Sequence, residues 1–145
     1  MAKLTESTLV DAPAAAVWAL IRDFNGLSTW STSMPPSVIE EGKAADQVGC
    51  VRRFEVNGKL FARERLLALD DLSLTQTYTI VESAMSLHDY LGSLHVTPVT
   101  DEDRCVVEWS GSFAADADQV EKTTAMLRDG IYRPGLASLK KHFGG

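Results

Sequence analysis

The chain has 145 residues, 45% of them hydrophobic and 23% charged, the size and make-up of one globular domain that can bury a core without disulfides or metal. A formal net charge of −6, with no cluster of Lys and Arg, argues against phosphate-backbone recognition, so no nucleic-acid partner is expected. No apolar run approaches the roughly 20 residues that span a bilayer, and MAKLTESTLV lacks the charged-then-apolar layout of a signal peptide; a single cytoplasmic domain over residues 1–145 is expected.

In chain order, LTESTLVDAP alternates as a strand, and Pro13 suits a helix start because its missing N–H costs nothing there. The helix AAAVWALIRDF sets Val17, Trp18, Ile21 and Phe24 at three- and four-residue spacing, an apolar face with two aromatics. Asn25 and Gly26 end it, LSTW adds a further turn, and Pro35-Pro36 enforce an extended connection. From Val38 the period becomes two, with strands expected at SVIEE, CVRRFEV, KLFARERLLAL, SLTQTYTIVE, SLHDYLGSLHV and RCVVEWSGSF. Asn57-Gly58 is a hairpin signal, since a type I′ turn needs positive φ at both central residues. Asp70-Asp71 and Thr100 to Asp103 supply two further polar turns. Cys50 and Cys105 fall inside strands, where a free Cys behaves as a small buried hydrophobe. The last segment returns to helical spacing through Val120, Thr124, Leu127, Ile131, Leu136, Leu139 and Phe143, with Asp116 or Asp118 as cap. Pro134 lies within it, so a bend or local unwinding is expected near residues 130 to 135.

A meander of this length has one face to bury, and the C-terminal helix is the only element large enough to cover it. The expected fold is α+β: a seven-stranded curved antiparallel sheet wrapped around a long C-terminal helix, with two short helices after the first strand. A curved sheet that its helix cannot fully fill tends to leave a cavity, whose natural use is to hold a ligand.

The strings DAPAAAVWALIRDFNGLSTW, VGCVRRFEVNG, ERLLALDD, TYTIVES, YLGSLHVTPV, VVEWSGSF and YRPGLASLKKHF resemble the polyketide cyclase/dehydrase family of START-like, helix-grip proteins (SRPBCC, birch-pollen-allergen-like). The resemblance runs from about Leu4 to Phe143 through dispersed residues. It implies a deep pocket under the long helix. It does not fix chemistry, because the superfamily includes lipid-transfer domains, plant abscisic-acid receptors, aromatase/cyclases and norcoclaurine synthase.

Residues of equal parity in a strand share a face. Strand composition together with the resemblance turns Phe54 and Val56 inward, and Arg52 with them. By the same rule Tyr78 and Ile80 face in, as do Tyr90, Gly92, Leu94 and Val96 on the next strand, then Val107 and Trp109. In KLFARERLLAL both registers contain apolar residues, Leu60, Ala62 and Leu66 on one side, Phe61, Leu67 and Leu69 on the other. Charge breaks the tie. Odd residues inward would bury Arg63 and Arg65 together, whereas even residues bury only Glu64, which Arg52 can pair. The resemblance agrees, since plant hormone receptors carry a pocket-lining acid in a similar ERL context. Leu127 and Ile131 complete the wall from the helix, Trp30 closes one end, and Tyr132 is expected at the surface or rim. His88 shares the inward parity near the mouth, while His95 and His142 look solvent-facing.

Arg52 and Glu64 read either as a salt bridge that satisfies two awkward charges, or as the group that orients a polar part of a ligand. Glu64 could also act as general acid or base, and an adjacent guanidinium favours base or anchor. Tyr78 and Tyr90 are core aromatics, or catalytic donors if they converge on a carbonyl. No His, Cys and carboxylate spacing suits a metal, and no phosphate loop or nucleophile elbow occurs, so no metal or cofactor is expected. The leading expectation is a binding protein for a small hydrophobic molecule, aromatic, polyketide- or lipid-like. The alternative is a cofactor-independent cyclase, dehydratase or lyase using Glu64 or a tyrosine. An interaction protein is a third class, but VNGKL and ESAMSLH do not match the receptors' proline-containing gate and histidine-containing latch. Nothing in the pattern sets an oligomeric state.

Overall fold

Period-two segments become seven strands in the computed structural model, which describes residues 1–145. They are β1 (Ala2–Val10), β2 (Ser37–Ile39), β3 (Val51–Val56), β4 (Lys59–Asp70), β5 (Thr75–Ser83), β6 (His88–Pro98) and β7 (Cys105–Ala114). Every pairing is antiparallel, in the order β1-β7-β6-β5-β4-β3-β2. The first strand therefore joins the last, and the long meander closes back on its start. Register shifts interrupt β3–β4 at Phe54/Glu55, β4–β5 at Arg63/Glu64 and Leu66/Ala68, and β6–β7 at His88/Leu91. Each leaves an extra residue on one strand of the pair and bends that strand. The result is the curved helix-grip sheet. The β3–β4 turn has positive φ at Asn57 (53°) and Gly58 (75°), the geometry a type I′ hairpin requires.

Between β1 and β2 lie α1 (Ala14–Ile21) and α2 (Leu27–Trp30), with Pro13 at the N-cap, one position outside α1. Asp71, in the β4–β5 turn, fastens α1 to the sheet, accepting from Trp18 Nε1 at 2.8 Å and Arg22 Nε at 2.9 Å. Its neighbour Asp70 ties the turn itself, accepting from the Leu72 and Ser73 amides.

The C-terminal segment is α3 (Val120–Ala125), a π-helical turn (Met126–Tyr132) and α4 (Arg133–His142). The irregularity expected near residues 130 to 135 thus takes the form of a widened turn that ends just before Pro134. A proline there has no N–H to give and crowds the carbonyl four residues back; widening the preceding turn accommodates both. Neither Asp116 nor Asp118 caps α3: Gln119 holds the N-cap position without a side-chain bond, and the Asp116 carbonyl accepts from the Gln119 and Val120 amides instead. Leu127, Tyr132, Leu136 and Leu139 face the sheet and join a core that includes Val17, Ile21, Phe24, Phe54 and Phe113. Cys50 and Cys105 are free and buried, and burial pushes both thiols up. No helix is long and apolar enough to cross a membrane.

Candidate functional site

β3 and β4 run antiparallel with Arg52 opposite Glu64, so the two charges that alternation turns inward meet directly. Arg52 Nε and Nη2 donate to Glu64 Oε1 at 2.9 and 2.7 Å, and Nη1 donates to the Phe24 carbonyl at 2.9 Å. The guanidinium carbon also lies 4.0 Å from the centroid of the Phe24 ring and 5.1 Å from that of Tyr78. Each guanidinium nitrogen of Arg52 thereby donates a hydrogen bond, which suits a charge at 2% exposure. Both bonds to the carboxylate converge on Oε1, and Oε2 accepts none from the protein. Glu64 lines a cavity with Arg52, Tyr78, Tyr90, Trp109 and Tyr132.

Eleven of the thirteen lining residues are hydrophobic. Leu127 and Ile131 reach it from the helical side, Leu27 and Met34 from the α2 region, and Phe61, Ile80 and Met85 from the sheet and the β5–β6 loop. The space in which the centre of a water can sit is only about 20 Å³, room for roughly one water. Aromatic packing closes it: the Trp109 and Tyr132 rings stack at 4.7 Å and 11°. The deep pocket that the resemblance implies is a narrow one here.

On the wall beside Glu64, Trp109 Nε1 donates to the Tyr78 hydroxyl at 2.9 Å, Tyr78 meets the Tyr90 hydroxyl at 3.1 Å, and Tyr90 meets the hydroxyl of Tyr132. These are the chain's three tyrosines, gathered in one hydrogen-bonded row. Burial, then the nearby Glu64 charge, pushes Tyr78 up to about 12. Burial also holds Tyr90 and Tyr132 well above the usual phenol range, so all three are neutral hydroxyls at ordinary pH. Two glycines make the row possible. Gly92 pairs with Gly111 across β6 and β7. A Cβ on Gly92 would lie 2.5 Å from Tyr78 Cζ and 2.7 Å from Tyr90 Cε1, and one on Gly111 would collide with the Tyr132 hydroxyl.

Of the positions that sequence pointed to the cavity, Arg52, Glu64, Tyr78, Ile80, Tyr90, Trp109, Leu127 and Ile131 line it. Phe54, Leu66, Gly92 and Leu94 face inward but are packed in the core or under the tyrosines. Trp30 lies behind Trp109 at 5.9 Å with its indole N–H unpartnered. Two positions are elsewhere. Val56 is 45% exposed, as the last residue of β3 before the Asn57-Gly58 turn, paired only with Lys59. His88 is exposed at the start of β6, ahead of the irregular His88/Leu91 stretch. Conversely, Phe61 reaches the cavity despite its odd parity, as the extra residue of β4 between Ala62, opposite Phe54, and Leu60, opposite Glu55. Tyr132, expected at the surface or rim, is 1% exposed. The π turn explains it, since five-residue spacing brings Tyr132 onto the face of Leu127. The Gly130–Gly135 frame of Pro134 was the available signal.

Comparison with known proteins matches residues 1–144 to the family described as polyketide cyclase / dehydrase and lipid transport. Among solved structures, the chain is similar to the protein XoxI from Bacillus cereus, at 32% identity over 99% of this chain and 96% of that one, with a TM-score of 0.85. A protein from Thermobifida fusca is similar at 27% identity over 99% and 94%, with a TM-score of 0.90. Norcoclaurine synthase from Thalictrum flavum, solved with dopamine and hydroxybenzaldehyde, shares the fold at 18% identity over 98% and 83%, with a TM-score of 0.71. The chain belongs to the polyketide cyclase/dehydrase and lipid transport family.

Proposed function

We propose that this protein binds a small, neutral, largely apolar molecule between sheet and helix, and that a hydroxyl on that molecule donates to Glu64 Oε2. The observation that carries this reading is the one-sided ion pair: Arg52 makes both carboxylate contacts to Oε1, and Oε2, on a residue that lines the cavity, has no protein donor. A carboxylate oxygen without a protein donor is best stabilised where a hydroxyl donates to it. Because Arg52 balances the charge, a neutral ligand suits the site better than an ionic one. The apolar lining supports an aromatic or polyketide-like body, in keeping with the family. A ligand-sized site of roughly 300 Å³ or more requires rim side chains to move, and the flexible thioethers of Met34 and Met85, with half-buried Phe61 and Ile131, are the ones placed to do so.

Titration of the 15N-labelled protein with phenol and with toluene, followed by amide shifts, tests this. Phenol is expected to perturb amides of β3, β4 and the π turn and to bind about tenfold tighter than toluene, and Glu64→Gln is expected to remove that advantage. Absence of cavity shifts with either probe overturns the reading.

A second reading, an enzyme, is favoured by one feature: the free Oε2 can take a proton from carbon while a neighbouring hydroxyl donates to the adjoining carbonyl. Deuterium exchange into the methyl group of acetophenone, faster with the wild type than with Glu64→Gln, separates catalysis from carriage.

A further inference from the structure

The indole of Trp109 fixes the direction of the first bond in the tyrosine row. An indole N–H only donates, so the Tyr78 oxygen accepts from Trp109. Tyr78 then has one proton to give, and Tyr90 is the hydroxyl within reach. Either hydroxyl of the Tyr90–Tyr132 bond can be the donor, and we take Tyr90 to donate, which continues the direction set by the indole. In this direction every hydroxyl accepts once and donates once, and each bond polarises the next. The reverse direction makes Tyr78 accept twice and leaves the Tyr132 oxygen with no donor. In that direction Tyr132 ends the row, its O–H free to turn from the neighbouring tyrosine oxygens to an acceptor in the cavity. That residue is 1% exposed and lines the same cavity as Glu64 Oε2.

We infer that the cavity has a second pole: the terminal hydroxyl of Tyr132, polarised by Tyr90, Tyr78 and Trp109, donates to a carbonyl or ether oxygen of the ligand. Resting on the binding reading above, this narrows the ligand class to neutral molecules with a hydroxyl at one end and an acceptor oxygen at the other, joined by an apolar frame. Hydroxyaryl ketones are of this class. The Gly92–Gly111 pair is the positioning element, because side chains there would occupy the volume that the row fills. Neither glycine touches the ligand; both act through the tyrosines.

The test is a titration of wild type, Tyr132→Phe and Gly111→Ala with toluene, phenol, acetophenone and 4-hydroxyacetophenone, read by amide shifts. Wild type is expected to bind acetophenone roughly three- to tenfold tighter than toluene, and 4-hydroxyacetophenone tighter than either single-function probe. Tyr132→Phe should lose the acetophenone preference while phenol and toluene stay within about twofold. Gly111→Ala, which keeps the hydroxyl but displaces it, should lose the same preference, and it decides the matter if Tyr132→Phe does not fold. Equal wild-type affinity for acetophenone and toluene, or a uniform loss for all four probes in the variants, overturns the inference and leaves the Glu64 reading standing. Failure of all four to bind wild type removes the binding reading itself, and this inference with it.

Discussion

The Arg52–Glu64 pair invites a double-mutant cycle with Arg52→Met and Glu64→Leu. Removing Glu64 strands a guanidinium at 2% exposure with only the Phe24 carbonyl and ring faces as partners. Removing Arg52 strands a carboxylate at 7% exposure and leaves the Phe24 carbonyl without its donor. Breaking one side of a buried pair costs about 3–5 kcal/mol, so the two single changes sum to about 6–10 kcal/mol. The double variant buries no charge and retains only the loss at Phe24, about 1–3 kcal/mol. A coupling of at least about 3 kcal/mol follows. Urea unfolding reports it through the fluorescence of the three tryptophans, with an unchanged urea dependence marking an unchanged denatured state. A single variant unfolded without denaturant meets the expectation if the double variant folds. Additivity of the two changes within about 0.5 kcal/mol refutes the reasoning.

Other expectations concern the tyrosine row. All three tyrosines titrate above the free value of about 10 in the folded chain. A group that holds its proton more tightly when folded stabilises fully below the unfolded pKa, and that contribution falls as pH rises. Stability should therefore decline above about pH 10, and tyrosinate absorbance should appear together with unfolding; a tyrosine that ionises near pH 10 in the folded protein contradicts its burial. Gly92→Ala, forcing a Cβ against Tyr78 and Tyr90, should cost about 1–3 kcal/mol, read as a fall in Tm of several degrees. Pro134→Ala removes the reason for the widened turn and should shift the Tyr132 ring resonances as α-helical spacing is regained, while unchanged resonances would assign the π turn to packing instead.

The order of elements along the chain and the inward charges were legible because alternation is local: Arg52, Glu64, Tyr78, Tyr90 and Trp109 each sit where a period of two carries them. That rule fails wherever one residue is inserted. Phe61 is the extra residue of a bulge that no single residue type announces, and Val56 is exposed because β3 ends there at its turn. Tyr132 is the helical counterpart, moved inward by a turn of five-residue spacing. Pro134 marked where regular geometry would break but not which way the break would turn the chain. The closing of the cavity was illegible for another reason: it is set by how the summed side-chain volumes fill the interior, and by two glycines whose missing side chains let the tyrosines in.

A crystal structure of the protein soaked with 4-hydroxyacetophenone tests the central claim most directly. The account predicts the ring between sheet and helix, its phenol oxygen about 2.5–3.0 Å from Glu64 Oε2, with Phe61 and Met85 displaced from their closed positions. A cavity still shut, or a ligand held only on the outer surface, would contradict it.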